Sequence, residues 1–72
     1  MNYDRQKFGK SVRTLREKVP PHDFAKHLRI SPAILSRIER GKLVDDHVIE
    51  KVCGILGLKI NDFPSGKAGE QS

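Results

Sequence analysis

The sequence has one cysteine, no long apolar run and no strand-like alternation of apolar and polar residues. A single cysteine excludes an intramolecular disulfide, and Cys53 lies in an apolar stretch, which favours burial over a redox role. No apolar run approaches the roughly 18 residues that a membrane-spanning helix requires. The N-terminus is polar and no apolar stretch follows it, so we expect no signal peptide and a cytoplasmic location.

The sequence also lacks a group of residues suited to catalysis or metal binding. His22 and His27 are five residues apart, so they face different sides of a helix, and no carboxylate or thiolate completes a metal site. Ser36, His47 and the aspartates are the residue types of a catalytic triad. They are not expected to form one, because Ser36 falls on an exposed helix without oxyanion donors or a pocket. We therefore expect no enzyme activity, no cofactor, no metal and no small-molecule substrate.

Positive charge is plentiful and unevenly distributed. Residues 7–42 contain ten Lys and Arg against three acidic residues, a net charge of +7. Residues 43–72 contain three against five, a net charge of −2. This asymmetry suggests a face built for a polyanion. A basic surface that only keeps the protein in solution would have the same charge, so both interpretations stay open at this point.

Apolar residues recur at helical spacing with clear stops, which predicts an all-α fold: a compact bundle of about five short helices. Phe8, Val12 and Leu15 define a first helix over roughly residues 4–18. Proline disfavours helix in the residue before it, so the first helix ends at the Pro20-Pro21 pair. The second helix begins with Pro21 and runs to about residue 28.

The third helix, residues 32–40, has the clearest ends. Ser31 is a good N-cap, and Pro32 suits the first helical position. Gly41 suits the left-handed residue that follows a helix. The second and third helices are therefore joined by a short turn, and a stop follows the third helix directly.

Asp45 or Asp46 caps a fourth helix that Gly57 ends, and a last turn follows over residues 60–63. Residues 1–63 are thus predicted to form one domain. The remaining residues, 64–72, have no apolar anchor and are predicted to be a disordered tail.

The third helix presents an outer face that would fit a DNA major groove. At 100° per residue, Leu35 and Ile38 point to the core, and the opposite side is small near its start and cationic near its end. A major groove admits a helix when the side chains nearest the bases allow close approach. The candidate DNA-binding residues are Pro32, Ala33, Ile34, Ser36, Arg37, Arg40 and Lys42. A solvated surface helix is the alternative.

Each candidate suits a particular contact. The first three, residues 32–34, offer apolar contact to thymine methyl groups, and Arg37 can form two hydrogen bonds with guanine. Arg40 and Lys42 lie where the helix leaves the groove, and there they would meet phosphates.

Three segments resemble the Cro and lambda-repressor type helix-turn-helix family, the XRE-like regulators. The segment FGKSVRTLRE, residues 8–17, is similar to the family's first helix, and residues 24–41 closely resemble its central motif. Its most specific part is LSRIERG, which ends at residue 41, and residues 48–58 resemble the fourth helix. The resemblance covers about residues 8–63. It implies double-stranded DNA binding, with the third helix as the recognition helix and Arg16 paired with Glu39.

The resemblance also implies a regulator that acts as a two-fold dimer on a pseudo-palindromic operator. Leu58, Ile60 and Phe63 are candidate dimer contacts, although all three could equally be core residues. An autoregulatory repressor of a phage, plasmid or other prokaryotic mobile element fits this pattern. The alternative is a protein-interaction module of the same fold, such as an antitoxin or antiactivator.

The sequence departs from the family pattern at three places. Pro21 stands where the family usually has a Gln that reaches a phosphate, so that contact is missing or is replaced by His22. The loop before it is about two residues shorter than usual. Arg29 occupies a turn where the family tends to have Gly, and a left-handed conformation there would cost about 1–2 kcal/mol.

Overall fold

The computed structural model describes residues 2–64, and within them the chain forms four α-helices and one 3-10 turn. The helices are α1 (Arg5–Arg16), α2 (Pro21–Leu28), α3 (Pro32–Glu39) and α4 (Asp46–Leu56), and the turn is Ile60–Asp62. The predicted all-α bundle is therefore confirmed. Residues 65–72, which make up nearly all of the predicted tail, lie outside the described part of the chain. No described helix is long and apolar enough to cross a membrane.

Side-chain caps begin three of the four helices. Asp4, Ser31 and Asp45 each accept a hydrogen bond from a backbone N–H two or three residues further on, over 2.9–3.1 Å. Of the two aspartates that could cap α4, the structure selects Asp45. Gly41 and Gly57 follow α3 and α4 with φ of 73° and 72°, a conformation that favours glycine. The expected stops of both helices are confirmed.

The end of α1 differs from the prediction. The helix ends at Arg16 because Glu17 adopts φ 46° and ψ −114°, and the Val19 N–H then closes a turn onto the Arg16 carbonyl over 2.8 Å. Leu15, predicted to belong to the apolar stripe of this helix, is 47% exposed. In the described chain it lines an open groove with Leu58, because α1 stops one residue later and nothing closes over its side chain.

The two ends of the domain pack together in the core. The ring of Phe8 makes edge-on contacts with the rings of Tyr3 and Phe63, at centroid distances of 5.5 and 5.3 Å. The Asp4 N–H also donates to the Phe63 carbonyl over 2.7 Å. Phe63, offered above as either a dimer contact or a core residue, is thus a core residue. The largest fully buried side chains are Phe8, Val12, Leu28, Leu35, Ile38, Ile49 and Val52.

Cys53 is buried on α4, in agreement with its apolar surroundings in the sequence. Burial raises the pKa of the Cys53 thiol above its ordinary value, and the nearby Glu50 carboxylate raises it further. The thiolate is the reactive form of cysteine, so the protonated thiol is inert at neutral pH. Its contribution is to packing.

Replacing Arg29 with glycine is expected to stabilise the protein. Arg29 ends α2 in the left-handed conformation, at φ 61° and ψ 40°. Relief of that strain outweighs the entropy that glycine adds to the unfolded chain, leaving a gain of about 1 kcal/mol. Thermal unfolding of Arg29→Gly should show a midpoint about 4–8 °C higher. Arg29→Ala, which keeps the Cβ and the strain, is the matched control, and a glycine variant no more stable than the alanine variant would contradict the account.

Candidate nucleic-acid interface

The candidate DNA-binding face lies on α3, and the two residues that the helix buries set its direction. Leu35 and Ile38 are buried, which turns Pro32, Ala33 and Arg37 outward to solvent. The sidedness predicted from the helical wheel is therefore confirmed. The outer surface of α3 is thus exposed to solvent. The small residues Pro32 and Ala33 lie at its start, and the guanidinium of Arg37 lies about one turn further on.

Two of the predicted contact residues are less accessible than the sequence suggested. Ile34 is half-buried and packs against the core, so only part of its side chain can reach a thymine methyl group. Ser36 is also half-buried. Helix α3 packs against both α1 and α2, so the surface that it leaves to solvent is narrower than the helical wheel suggests.

The cationic end of the face follows the end of α3. Arg37, Arg40 and Lys42 are all exposed. The Lys42 N–H donates to the Arg37 carbonyl over 2.9 Å, which turns the chain back against the last turn of the helix. His22 is exposed in the first turn of α2, away from this cluster in sequence. The three cations are thus brought to one end of α3, while His22 belongs to a separate element.

An ion pair fastens α1 to α3. The Arg16 guanidinium donates two hydrogen bonds to the Glu39 carboxylate, Nε to Oε2 over 2.7 Å and Nη2 to Oε1 over 3.0 Å. Nη1 donates to the Val19 carbonyl over 3.2 Å, so the same side chain holds the turn after α1. The hydrogen bond with Glu39 raises the pKa of Arg16, which stays charged.

This pair has an electrostatic consequence for the face. Glu39 is the only acidic residue in α3, and its side chain is just 14% exposed. Because its charge is matched by a guanidinium on the inner side of the helix, it does not oppose an approaching phosphate. The outer surface of α3 therefore keeps its positive sign.

Gly9 allows α1 to cross α3 at very short range, a feature that the sequence analysis missed. A Cβ at this position would overlap the carbonyl oxygen of Ile38 and lie 3.0 Å from that of Glu39. A glycine inside a helix costs about 1 kcal/mol of helix stability, and that cost was the available signal for a close approach. Because Gly9 has no side chain, α1 and the end of α3 can lie in direct backbone contact.

The fourth helix supports the turn between α2 and α3. Lys51 Nζ donates to the Arg29 carbonyl over 3.3 Å, at the point where α2 ends. A lysine ammonium is well placed there, because the carbonyl end of a helix carries negative partial charge. Together with the Arg16–Glu39 pair, this contact holds the helix-turn-helix unit from both sides, so the outer face of α3 is preorganised.

An open groove lies beside α1, away from the outer face of α3. It has a volume of about 330 Å³ and is lined by Lys10, Ser11, Thr14, Leu15 and Leu58. It carries neither a carboxylate nor an imidazole, and no group of three metal-ligating residues occurs in residues 2–64. The groove suits apolar contact.

These features define a helix-turn-helix DNA-binding domain: two helices joined by a tight turn, the second with an open cationic face. The family model of the Cro/C1-type HTH DNA-binding domain matches residues 14–64, and the chain belongs to this family. The protein is accordingly a DNA-binding transcription regulator, and its partner is double-stranded DNA. The comparisons find no match among curated proteins and none among solved structures.

Proposed function

We propose that this protein is a sequence-specific repressor that binds the operator of its own gene as a two-fold dimer. The observation that carries the proposal is the outer face of α3, which is exposed, free of uncompensated acidic groups and cationic at its end. A prokaryotic or mobile-element setting and a cytoplasmic location belong to the same proposal.

Base recognition falls mainly to one side chain. Arg37 is exposed in the last turn of α3, and a bidentate contact with guanine O6 and N7 contributes about 1–3 kcal/mol of discrimination. Pro32 and Ala33 are small and exposed, so they let the start of the helix approach thymine methyl groups. The half-buried Ile34 and Ser36 contribute at the flanks.

Phosphate contacts position the helix in the groove. Arg40 and Lys42, both exposed at the end of α3, would meet the backbone where the helix leaves the groove. His22 is exposed in the first turn of α2 and would take the place of the amide that family members use there. Because few groups read bases, we expect sequence-dependent DNA shape to supply part of the specificity.

The proposed dimer uses the apolar groove beside α1. Leu58, a candidate contact from the sequence, lines this groove with Leu15, whose side chain is half exposed. Ile60 is half-buried and follows Leu58 by two residues in the sequence. Phe63 is buried in the core and holds this segment, residues 58–63, in place. Two copies related by a two-fold axis would cover these apolar surfaces with each other.

Replacing Leu58 with lysine is expected to weaken self-association at least about tenfold, because an ammonium would enter an apolar contact. Sedimentation velocity over a range of concentrations measures the change. Ile55→Lys is the control, since Ile55 is an exposed aliphatic residue that does not line the groove, and thermal unfolding checks that the half-buried Leu58 can be replaced without loss of the fold. Equal association of both variants and the parent protein would rule out this groove as the dimer contact.

Selection of bound fragments from random duplexes tests the function itself. The proposal predicts enrichment of a pseudo-palindrome whose half-sites are about 10 base pairs apart, with a guanine in each half-site facing Arg37. Enrichment of a single unpaired half-site would contradict the dimer, and absence of any enriched sequence would contradict sequence-specific repression.

One observation favours a second candidate function. Pro21 is the first residue of α2, and it has no N–H to offer a phosphate at a helix start that commonly binds one. A protein-interaction module of the same fold would not need that donor. This alternative predicts that the selection yields no preferred sequence while the outer face of α3 is covered by a protein partner.

A further inference from the structure

The carboxyl end of α3 poses an electrostatic problem for the proposed contacts. The last carbonyls of a helix have no partner within it and give that end a negative partial charge. This is the end at which Arg40 and Lys42 would meet phosphate. A residue that neutralises the end of α3 would therefore assist DNA binding directly.

Arg5, in the first turn of α1, occupies that place. Its Nε–H donates to the carbonyl oxygen of Gly41 over 3.2 Å, across 36 positions of the sequence. The start of α1 is held close, since a Cβ on Gly41 would lie 3.0 Å from Cγ of Gln6. Arg5 thus lies beside the residue that separates Arg40 from Lys42, and three cations gather around the end of the recognition helix.

We propose that Arg5 is a further DNA contact: its Nε holds the Gly41 carbonyl just past the end of α3, and its terminal nitrogens donate to a backbone phosphate. The inference rests on the proposed function, and it adds a residue from α1 to an interface otherwise made by α2 and α3. Neither the wheel of α3 nor the charge distribution singled out this residue.

The chemistry of the guanidinium fits both tasks. Arginine has five N–H donors in a planar fork, and the Gly41 carbonyl occupies only one of them. The side chain is exposed and forms no salt bridge within residues 2–64, so no carboxylate competes for its charge. An arginine fixed at one nitrogen is already oriented, which lowers the entropy lost when a phosphate binds.

The test measures duplex affinity as a function of salt for three variants of the full chain. Arg5→Gln can still donate to the Gly41 carbonyl but has no charge, whereas Arg5→Lys keeps the charge and loses the fork. Lys7→Ala is the matched control, because it removes one positive charge from the same helix about 200° away from Arg5. The probe is a random-sequence duplex of about 25 base pairs between 50 and 250 mM KCl.

Loss of one phosphate contact should reduce the magnitude of the slope of log K against log salt by about 0.9 per subunit. The proposal predicts this reduction for Arg5→Gln, a slope close to that of the parent for Arg5→Lys, and no change for Lys7→Ala. Thermal unfolding of each variant identifies any loss of fold, and the salt slopes of Arg5→Gln and Arg5→Lys are compared between folded variants of the same position.

If the slope of log K against log salt is the same for Arg5→Gln as for the parent protein, Arg5 does not contact a phosphate. The proposed function would stay intact, since the other phosphate contacts would remain. Equal reductions in Arg5→Gln and Lys7→Ala would also overturn it, because they would reflect total charge alone. Salt-independent binding by the parent protein would overturn this inference and the proposed function together.

Discussion

Gly9→Ala is expected to destabilise the protein by about 3 kcal/mol, the upper end of the usual cost of overpacking. The added methyl group would overlap the Ile38 carbonyl, which is backbone and cannot rotate aside like a side chain. To make room, α1 must move away from α3, which would stretch the Arg16–Glu39 hydrogen bonds. The midpoint of thermal unfolding should fall by more than about 10 °C.

Gly54→Ala is the matched control for this prediction. Gly54 lies within α4, and a Cβ there meets nothing within 4 Å. Alanine should stabilise α4 by up to about 1 kcal/mol because of its higher helix propensity. The two substitutions are chemically identical and are predicted to have opposite signs. A Gly9 variant as stable as the parent would show that the two helices are not in the close contact described.

Arg37→Ala is expected to have the largest effect on DNA recognition. Loss of a bidentate guanine contact should weaken binding to the selected operator by about 1–3 kcal/mol, or roughly 5- to 150-fold. Binding to random duplex should fall much less, because phosphate contacts supply most of that affinity. The preference for the operator should therefore shrink, while the thermal midpoint stays unchanged, since the Arg37 side chain is exposed and forms no hydrogen bond or ion pair within residues 2–64.

Competition binding between operator and random duplex measures that preference. Lys59→Ala is the control, because Lys59 is an exposed cation beyond α4 and its loss changes the net charge equally. The same operator preference in Arg37→Ala and in the parent would show that Arg37 does not read a base. In that case the specificity would have to come from DNA shape or from another side chain.

Much of the fold follows from local signals in the sequence. The proline pair at 20–21, the Ser31-Pro32 start of α3 and the glycines after α3 and α4 each act through the backbone of one or two residues. Such effects need no knowledge of tertiary structure. The start of α2, both ends of α3 and the end of α4 lie where expected, whereas α1 ends earlier than predicted. The outer face of α3 was also predictable, because burial of Leu35 and Ile38 fixes its orientation.

Features that depend on contacts between distant segments were not predictable in this way. The close crossing at Gly9 and the contact of Arg5 with Gly41 arise only when α1 lies across α3. The strained Glu17 is dictated by the short connection from α1 to α2, not by any preference of glutamate. Burial of Tyr3 likewise depends on tertiary contacts, because its ring packs on Phe8 and the next residue, Asp4, donates its N–H to the carbonyl of Phe63.

The Arg16–Glu39 pair was predicted from the sequence, although it joins distant segments of the chain. No rule of spacing links two residues 23 positions apart, and it was the resemblance to a known family that implied the pair. Its physical role is visible only in the structure, where the pair ties α1 to α3 and removes the one negative charge of the recognition helix from the outer face.

Protection of guanine N7 from dimethyl sulfate tests most directly whether the outer face of α3 enters the major groove. The atom lies in the major groove, and it is one of the two acceptors that Arg37 would occupy. We predict that the bound protein protects one or more guanines in each half-site of the selected operator, and that Arg37→Ala abolishes this protection at otherwise saturating protein. Guanine methylation in the saturated complex equal to that of free DNA would contradict the account.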